Sequence, residues 1–454
     1  MVERIGEPGW SLLDLLPFRR LQQPLNSTNY YAPVNITVLW FAFRLGGFAP
    51  ERYHLLMIAF HVGASIALYS TTCSLTGSRL KAIAAGSMFA VHFALTEAVG
   101  WYGAMTHPAA GFFGAASLAL FARFPATGGR LWFALSLASL SMASLTQVTG
   151  LSWFGILLLA DLMLAGKHRR VERDVKRAAI LVALGLGIVA LQIPTVTLDG
   201  VGGYRYQLGP WVLHNLFYYP ISTFMPNLEL PAYMLVNDLL VAATREDARL
   251  QLLGMTTAFN MLLASGVVVV AVLLMWASGK SLLRFCLLAF AAGMAPFVLM
   301  NGQGYRYLYV PLMFFSLAVS DMIVDHYNRL RYQSGMAAIA VLAILPLFVS
   351  LSFMESQRQM FWWREAGYVT HKTLSQLREL QPEVPNGAIL AFIGLPDTLP
   401  NSNVQVWRNG IESAARMLYE NPTLKVESLA QDDQPTDGRI VFTWQDWQLR
   451  KQSP

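Results

Sequence analysis

Apolar residues in this chain run in long unbroken stretches, with none of the strict alternation of a half-buried strand. A helix needs about 20 mostly apolar residues to cross a bilayer. Ten stretches qualify as candidate spans, near 53–72, 81–97, 104–122, 131–146, 150–166, 178–195, 258–277, 281–300, 305–324 and 335–354. The shorter ones also suit partly re-entrant helices. After residue 355 the pattern changes. WREAGYVTHKTLSQLREL (363–380) and IESAARMLYE (411–420) have helical periodicity. AILAFIG (388–394), LKVESL (424–429) and IVFTWQD (440–446) read as short strands, the first following a Pro-Asn-Gly turn.

The connections alternate in charge. One set carries Arg79 and Lys81, Arg123 and Arg130, the run KHRRVERDVKR (167–177), Lys280 and Arg284, and Arg329 and Arg331. The other set (97–103, 147–149, 301–304) carries no Lys or Arg. Short basic loops stay in the cytoplasm. The excess of 33 Lys+Arg over 27 Asp+Glu therefore reports topology. No nucleic-acid partner is expected; the lipid bilayer is.

Only 13% of residues are charged, against about 25% in soluble domains, which excludes an ordinary soluble enzyme or a disordered chain. Cys73 and Cys286 fall in apolar runs and read as small buried residues rather than a bridge or a metal site.

The expected architecture is an all-α polytopic bundle of about ten transmembrane helices with a small α/β domain. Residues 1–52 form an outer N-terminal segment, 53–354 the bundle with a large outer loop at 196–257, and 355–454 a small soluble domain outside the membrane. The localisation is the plasma (inner) membrane. VNITVLWFAFRLGG (34–47) suits an interfacial helix. No signal peptide precedes it, so either an upstream helix is missing or the first span inserts with its N-terminus outward. The outer loop holds Tyr204, Arg205, Tyr206, Trp211, His214, Tyr218 and Tyr219, either interfacial anchors or a sugar-stacking surface.

Ionisable groups inside spans are functional candidates because burying them in lipid is costly. His54 and His61 are seven apart and share a helix face. His92 and Glu97 approach the outer end of the second span, His107 opens the third, and Arg306 stands at the outer end of the ninth. Asp161, Asp321 and Asp325 lie near cytoplasmic ends, where solvation is expected. A carboxylate and an arginine at one rim suit an anionic lipid headgroup: arginine binds phosphate bidentately, and a carboxylate serves as base or metal ligand. The alternative for each is an interhelical bond that holds the bundle.

Three segments carry a resemblance. YYAPVNITVLWFAFRLGGFAPERYHLLMIAFHVGASIALYS (30–70), FAVHFALTEAVGW (89–101) and GYRYLYVP (304–311) resemble, in order, motifs of the GT-C-type membrane glycosyltransferases. The nearest branch is that of the tetratricopeptide-repeat O-mannosyltransferases and their bacterial relatives. The resemblance implies transfer of a sugar from a polyprenyl-phosphate donor on the outer side of the membrane. It implies that Glu97 matches an assisting carboxylate and Arg306, flanked by Tyr305 and Tyr307, contacts the donor phosphate. Trp101 closes the second motif. His54, His61, His92, His107, Tyr204 and Arg205 are the other pocket candidates. The chain departs from the family in lacking the first helix, its acidic pair and the repeats. Asp14, the only Asp before the first span, is the other catalytic candidate, a base beside Glu97; Ala32 stands where the family has Arg before Pro, and Phe93 replaces the usual Pro. A divalent metal is left open. These departures sustain a second expectation, a catalytically inactive scaffold or subunit with a membrane-protein partner.

Overall fold

The computed structural model describes residues 32–47, 49–127, 129–164, 171–192, 208–224, 266, 268–300, 304–399, 404, 406–407, 410–429 and 438–452. Helix dominates. The helices are α1 (Pro33–Gly46), α2 (Pro50–Thr76), α3 (Arg79–Ala90), α4 (Thr96–Gly100), α5 (Thr106–Thr127), α6 (Arg130–Thr146), α7 (Ser152–Leu164), α8 (Val171–Gln192), α9 (Pro210–Ser222), α10 (Val268–Ala277), α11 (Ser281–Val298), α12 (Tyr309–Leu330), α13 (Gly335–Leu380) and α14 (Ile411–Tyr419). Contacts divide the chain into two compact units between Ser356 and Gln357, within α13.

Among the described residues, six helices are long and apolar enough to cross a membrane, and a seventh if α3 and α4 form one broken span. This fits a multi-pass helical membrane protein, with fewer spans than the ten expected. The difference has identifiable sources. The 131–146 stretch becomes α6, whose 17 residues reach about 26 Å, short of a ~30 Å hydrocarbon core. The 150–166 stretch becomes the short helix 148–164, and of 258–277 the described part is the short helix α10, with 258–265 and 267 outside the described residues. Residues 81–97 are bent by 51°.

Local chemistry sets the breaks. Pro33, Pro50 and Pro210 open α1, α2 and α9 at a position where the missing N–H costs nothing. Gly77, at φ 67°, ends α2 by donating its N–H to the Cys73 carbonyl, and Ser78 then caps α3 by accepting from Lys81 N–H. α5 is a central helix, with 72% of its apolar window buried. Its small residues permit close approach, as expected where lipid supplies no hydrophobic drive. A Cβ on Gly114 would lie 2.0 Å from the Trp153 indole, and one on Gly111 would lie 2.4 Å from the Tyr309 ring. Against α6, Ser117 and Ser136 exchange bonds: each hydroxyl donates to the other's backbone carbonyl at 2.8 and 2.9 Å.

The basic ends are held by ion pairs. Lys81 Nζ meets Asp321 and Asp325 at 2.5 Å each, and Lys280 joins both from the N-cap of α11. Arg177 pairs with Asp161 at 2.8 Å. Asp161 and Asp321 were expected in solvent; both are buried. A lysine or arginine from a neighbouring helix replaces water as the partner, and so a carboxylate at a helix end can stay inside the bundle.

In the second unit, β1 (Ile389–Ile393), β2 (Lys425–Leu429), β3 (Ile440–Gln445) and β4 (Gln448–Lys451) form a sheet in the order β2-β1-β3-β4. β1 is parallel to β2 and β3, and β4 is antiparallel to β3. Leu377 of α13 and Ala415 of α14 share a core with Leu390, Phe392 and Phe442. β4 was missed because QLRK carries no apolar alternation. A two-residue turn creates it, with Asp446 and Trp447 both at positive φ, as tight hairpins require.

Gly114→Ala is expected to lower stability in detergent by about 1–3 kcal/mol through overpacking against Trp153. Gly155→Ala, where an added Cβ meets nothing, should leave the melting temperature unchanged or raise it. Equal melting temperatures for the two variants would contradict the close approach.

Candidate functional site

The site forms where two helices are interrupted. α3 stops at Ala90. His92 begins a 3-10 turn (Phe93–Leu95) and accepts the Ala94 N–H on Nδ1 at 3.3 Å. The Thr96 hydroxyl donates to the Phe93 carbonyl at 2.7 Å, and α4 starts in the new direction with Glu97 in its first turn. Opposite, Gly304 is extended and Tyr305–Leu308 make a 3-10 turn leading into α12.

Glu97 and Arg306, 209 positions apart, meet between these turns. The Arg306 backbone N–H donates to Glu97 Oε2 at 3.0 Å, and its guanidinium pairs with Oε1. The carboxylate thus neutralises the side chain and also satisfies an N–H at the entrance to α12, where a negative charge is favourable. The guanidinium lies over the Tyr307 ring at 4.5 Å and the Trp101 ring at 5.1 Å, and Nη2 donates to the Tyr307 hydroxyl at 2.9 Å. Such cation–π contacts strengthen when water is excluded, and only 9% of the Arg306 side chain is exposed. Gly304 leaves the room: its Cβ would lie 2.6 Å from Arg306 Nη1 and 3.1 Å from Glu97 Oε2.

The aromatic shell continues outward. Tyr307 stacks on Phe297 at 4.3 Å and meets the His107 ring at 5.5 Å. The Gln147 amide donates to His107 Nε2 at 3.2 Å. Tyr305 faces Tyr218, and Tyr307 faces Tyr219. Asn215 of α9 donates from Nδ2 to the carbonyls of Phe297, Val298 and Met300, at and just beyond the end of α11.

The structure thus brings Glu97, Arg306, Tyr305, Tyr307, Trp101 and His107 together. His61 works nearby as a staple: Nε2–H donates to the Ala90 carbonyl at 3.0 Å, and Nδ1 hydrogen-bonds with the Tyr309 hydroxyl at 2.9 Å. His92 is buried among the rings of Phe93, Phe315 and Phe348. His54 does not join them. It is exposed, whereas the shared-face expectation paired it with His61; the buried place in that turn belongs to Tyr53, whose hydroxyl donates to the Gly47 carbonyl at 2.6 Å. Asp14, Tyr204 and Arg205 lie outside the described residues. Gln147, Asn215 and Gly304 were not anticipated. Asn215 and Gly304 become legible only when the ends of α11 and α12 are known to meet the site. Among the described residues no group of three or more His, Cys, Asp or Glu side chains forms a metal site.

No protein-family model matches the chain, no curated protein does, and no solved structure does.

Removing one partner of a buried pair strands the other charge, at a cost of about 3–5 kcal/mol. Glu97→Gln and Arg306→Gln should each lower the unfolding free energy by that order. The double variant should lose clearly less than the sum, which a double-mutant cycle would measure. Additive losses would contradict the contact.

Proposed function

We propose that this protein is a membrane glycosyltransferase of the GT-C type, which moves a sugar from a polyprenyl-phosphate donor to an acceptor at the outer face of the membrane. The observation that carries the reading is the meeting of Glu97 and Arg306. These are the two charged residues of the motif-bearing segments 89–101 and 304–311, and they meet at one buried point. Its level in the bundle supports the reading. Arg306 precedes Asp321, in the basic layer, by 15 residues, about 22 Å of helix. The pair and the basic layer therefore stand apart by about three-quarters of a ~30 Å hydrocarbon core, and basic ends face the cytoplasm.

In this reading Arg306 takes the donor phosphate in place of Glu97. Binding the donor frees the carboxylate, which then accepts the proton of the acceptor hydroxyl. The hydroxyl oxygen forms its bond to the anomeric carbon as the bond from that carbon to the phosphate oxygen breaks. The polyprenyl phosphate leaves with the electron pair, and Arg306 offsets its charge; such preorganised electrostatic help is often the largest catalytic contribution. The rings of Trp101 and Tyr307 hold the guanidinium in place.

A specific observation favours the second reading, a non-catalytic bundle that serves as subunit of a membrane complex. The guanidinium is held on several sides, by Glu97, Trp101 and Tyr307, as a purely structural pair would be.

Purified protein in nanodiscs, supplied with polyprenyl-phosphate sugars, separates the two. The enzyme reading expects turnover by the wild type and a loss of at least 100-fold in both Arg306→Ala and Glu97→Gln, in line with removal of one charge-stabilising group. No donor consumption by the wild type, with a stable membrane partner in the purified sample, would favour the scaffold. Full activity in both variants would remove these residues from the chemistry.

A further inference from the structure

Tyr307 has a second role besides holding Arg306. Together with His107, Gln147, Thr149, Ser152 and Trp153 it lines a small cavity of about 10 Å³. This is room for the centre of about one water molecule. Gly150, on the cavity wall, cannot carry a side chain, because its Cβ would lie 2.3 Å from the Ala143 carbonyl oxygen.

One residue of the cavity wall, Trp153, carries a polar atom with an unmet need. Trp153 is fully buried, and its Nε1–H has no hydrogen-bond partner among the described residues. A buried donor left unpaired is costly, and native interiors rarely keep one. Two other residues of the wall carry acceptors. The Ser152 hydroxyl donates to the Thr149 carbonyl at 2.8 Å, leaving its lone pairs free to accept. Gln147 uses its amide nitrogen on His107, leaving the amide oxygen. The lining contains no Lys, Arg, Asp or Glu, so nothing there compensates the charge of an ion. Size excludes an organic group.

We propose that this cavity is a binding site for one ordered water molecule, which accepts the Trp153 Nε1–H and donates to acceptors on Ser152 and the turn at Gln147–Gly150. The water ties α7 to the turn that follows α6 and fills the space beside Tyr307. The inference stands whichever of the two functional readings holds, since it uses neither the donor nor the acceptor.

Two measurements on the full-length protein in nanodiscs test it. The ultraviolet resonance Raman difference spectrum between wild type and Trp153→Phe isolates the band of this indole that reports hydrogen bonding at its N–H. The band is expected at the hydrogen-bonded position, and a free N–H position would overturn the proposal. A density map that resolves ordered water is expected to show a peak within hydrogen-bond distance of Trp153 Nε1. A protein atom in that place, or no peak where other buried waters are visible, would overturn it as well. The map decides alone if Trp153→Phe does not fold.

Discussion

Burying a charge in an apolar medium is among the most expensive acts available to a folding chain, and an opposite charge with good hydrogen bonds is what makes it tolerable. Glu97 and Arg306 meet that condition inside this bundle, and much of the surrounding structure follows from it. Glu97 needs a helix that stops and turns, which the His92–Leu95 elbow provides. Arg306 needs a turn with its backbone N–H turned toward the same carboxylate, which the 3-10 turn before α12 provides. Gly304 is needed because a side chain there would occupy the guanidinium's place. The aromatic rings of Trp101 and Tyr307 shield the pair and strengthen it by excluding water.

A second charged layer lies at the other ends of α3 and α12, where Lys81 and Lys280 converge on Asp321 and Asp325. The two layers fix both ends of the same helices. Between them the packing is carried by small residues of α5 against Tyr309 and Trp153, and by hydroxyls that bond to the carbonyls of the facing helix. The first unit is thus a bundle pinned by charge at both ends and by close backbone approach in the middle.

Hydropathy made the helical character and most long helices legible, because a span is written in consecutive residues. It overstated the number of spans, because α6 and α7 are as apolar as their neighbours but shorter, and length is decided by where packing and caps stop a helix. The grouping of Glu97, His107 and Arg306 was readable from their common level on neighbouring spans. Distance arguments of that kind fail for His54, since exposure depends on which neighbours reach that turn. The solvation expected for Asp161 and Asp321 failed for the same reason: sequence shows the charge and hides the partner on the next helix. Gln147 and Asn215 carry no motif. Their role comes from the helix ends they serve, which only three dimensions display.

In the proposed function, Arg306 exchanges Glu97 for the phosphate of a lipid carrier. An experimental structure with bound polyprenyl phosphate tests it most directly. The account expects the Arg306 guanidinium within hydrogen-bond distance of the phosphate oxygens and Glu97 released from it, with Trp101 and Tyr307 still flanking the guanidinium. A phosphate bound elsewhere, with the Glu97–Arg306 pair intact, would contradict it.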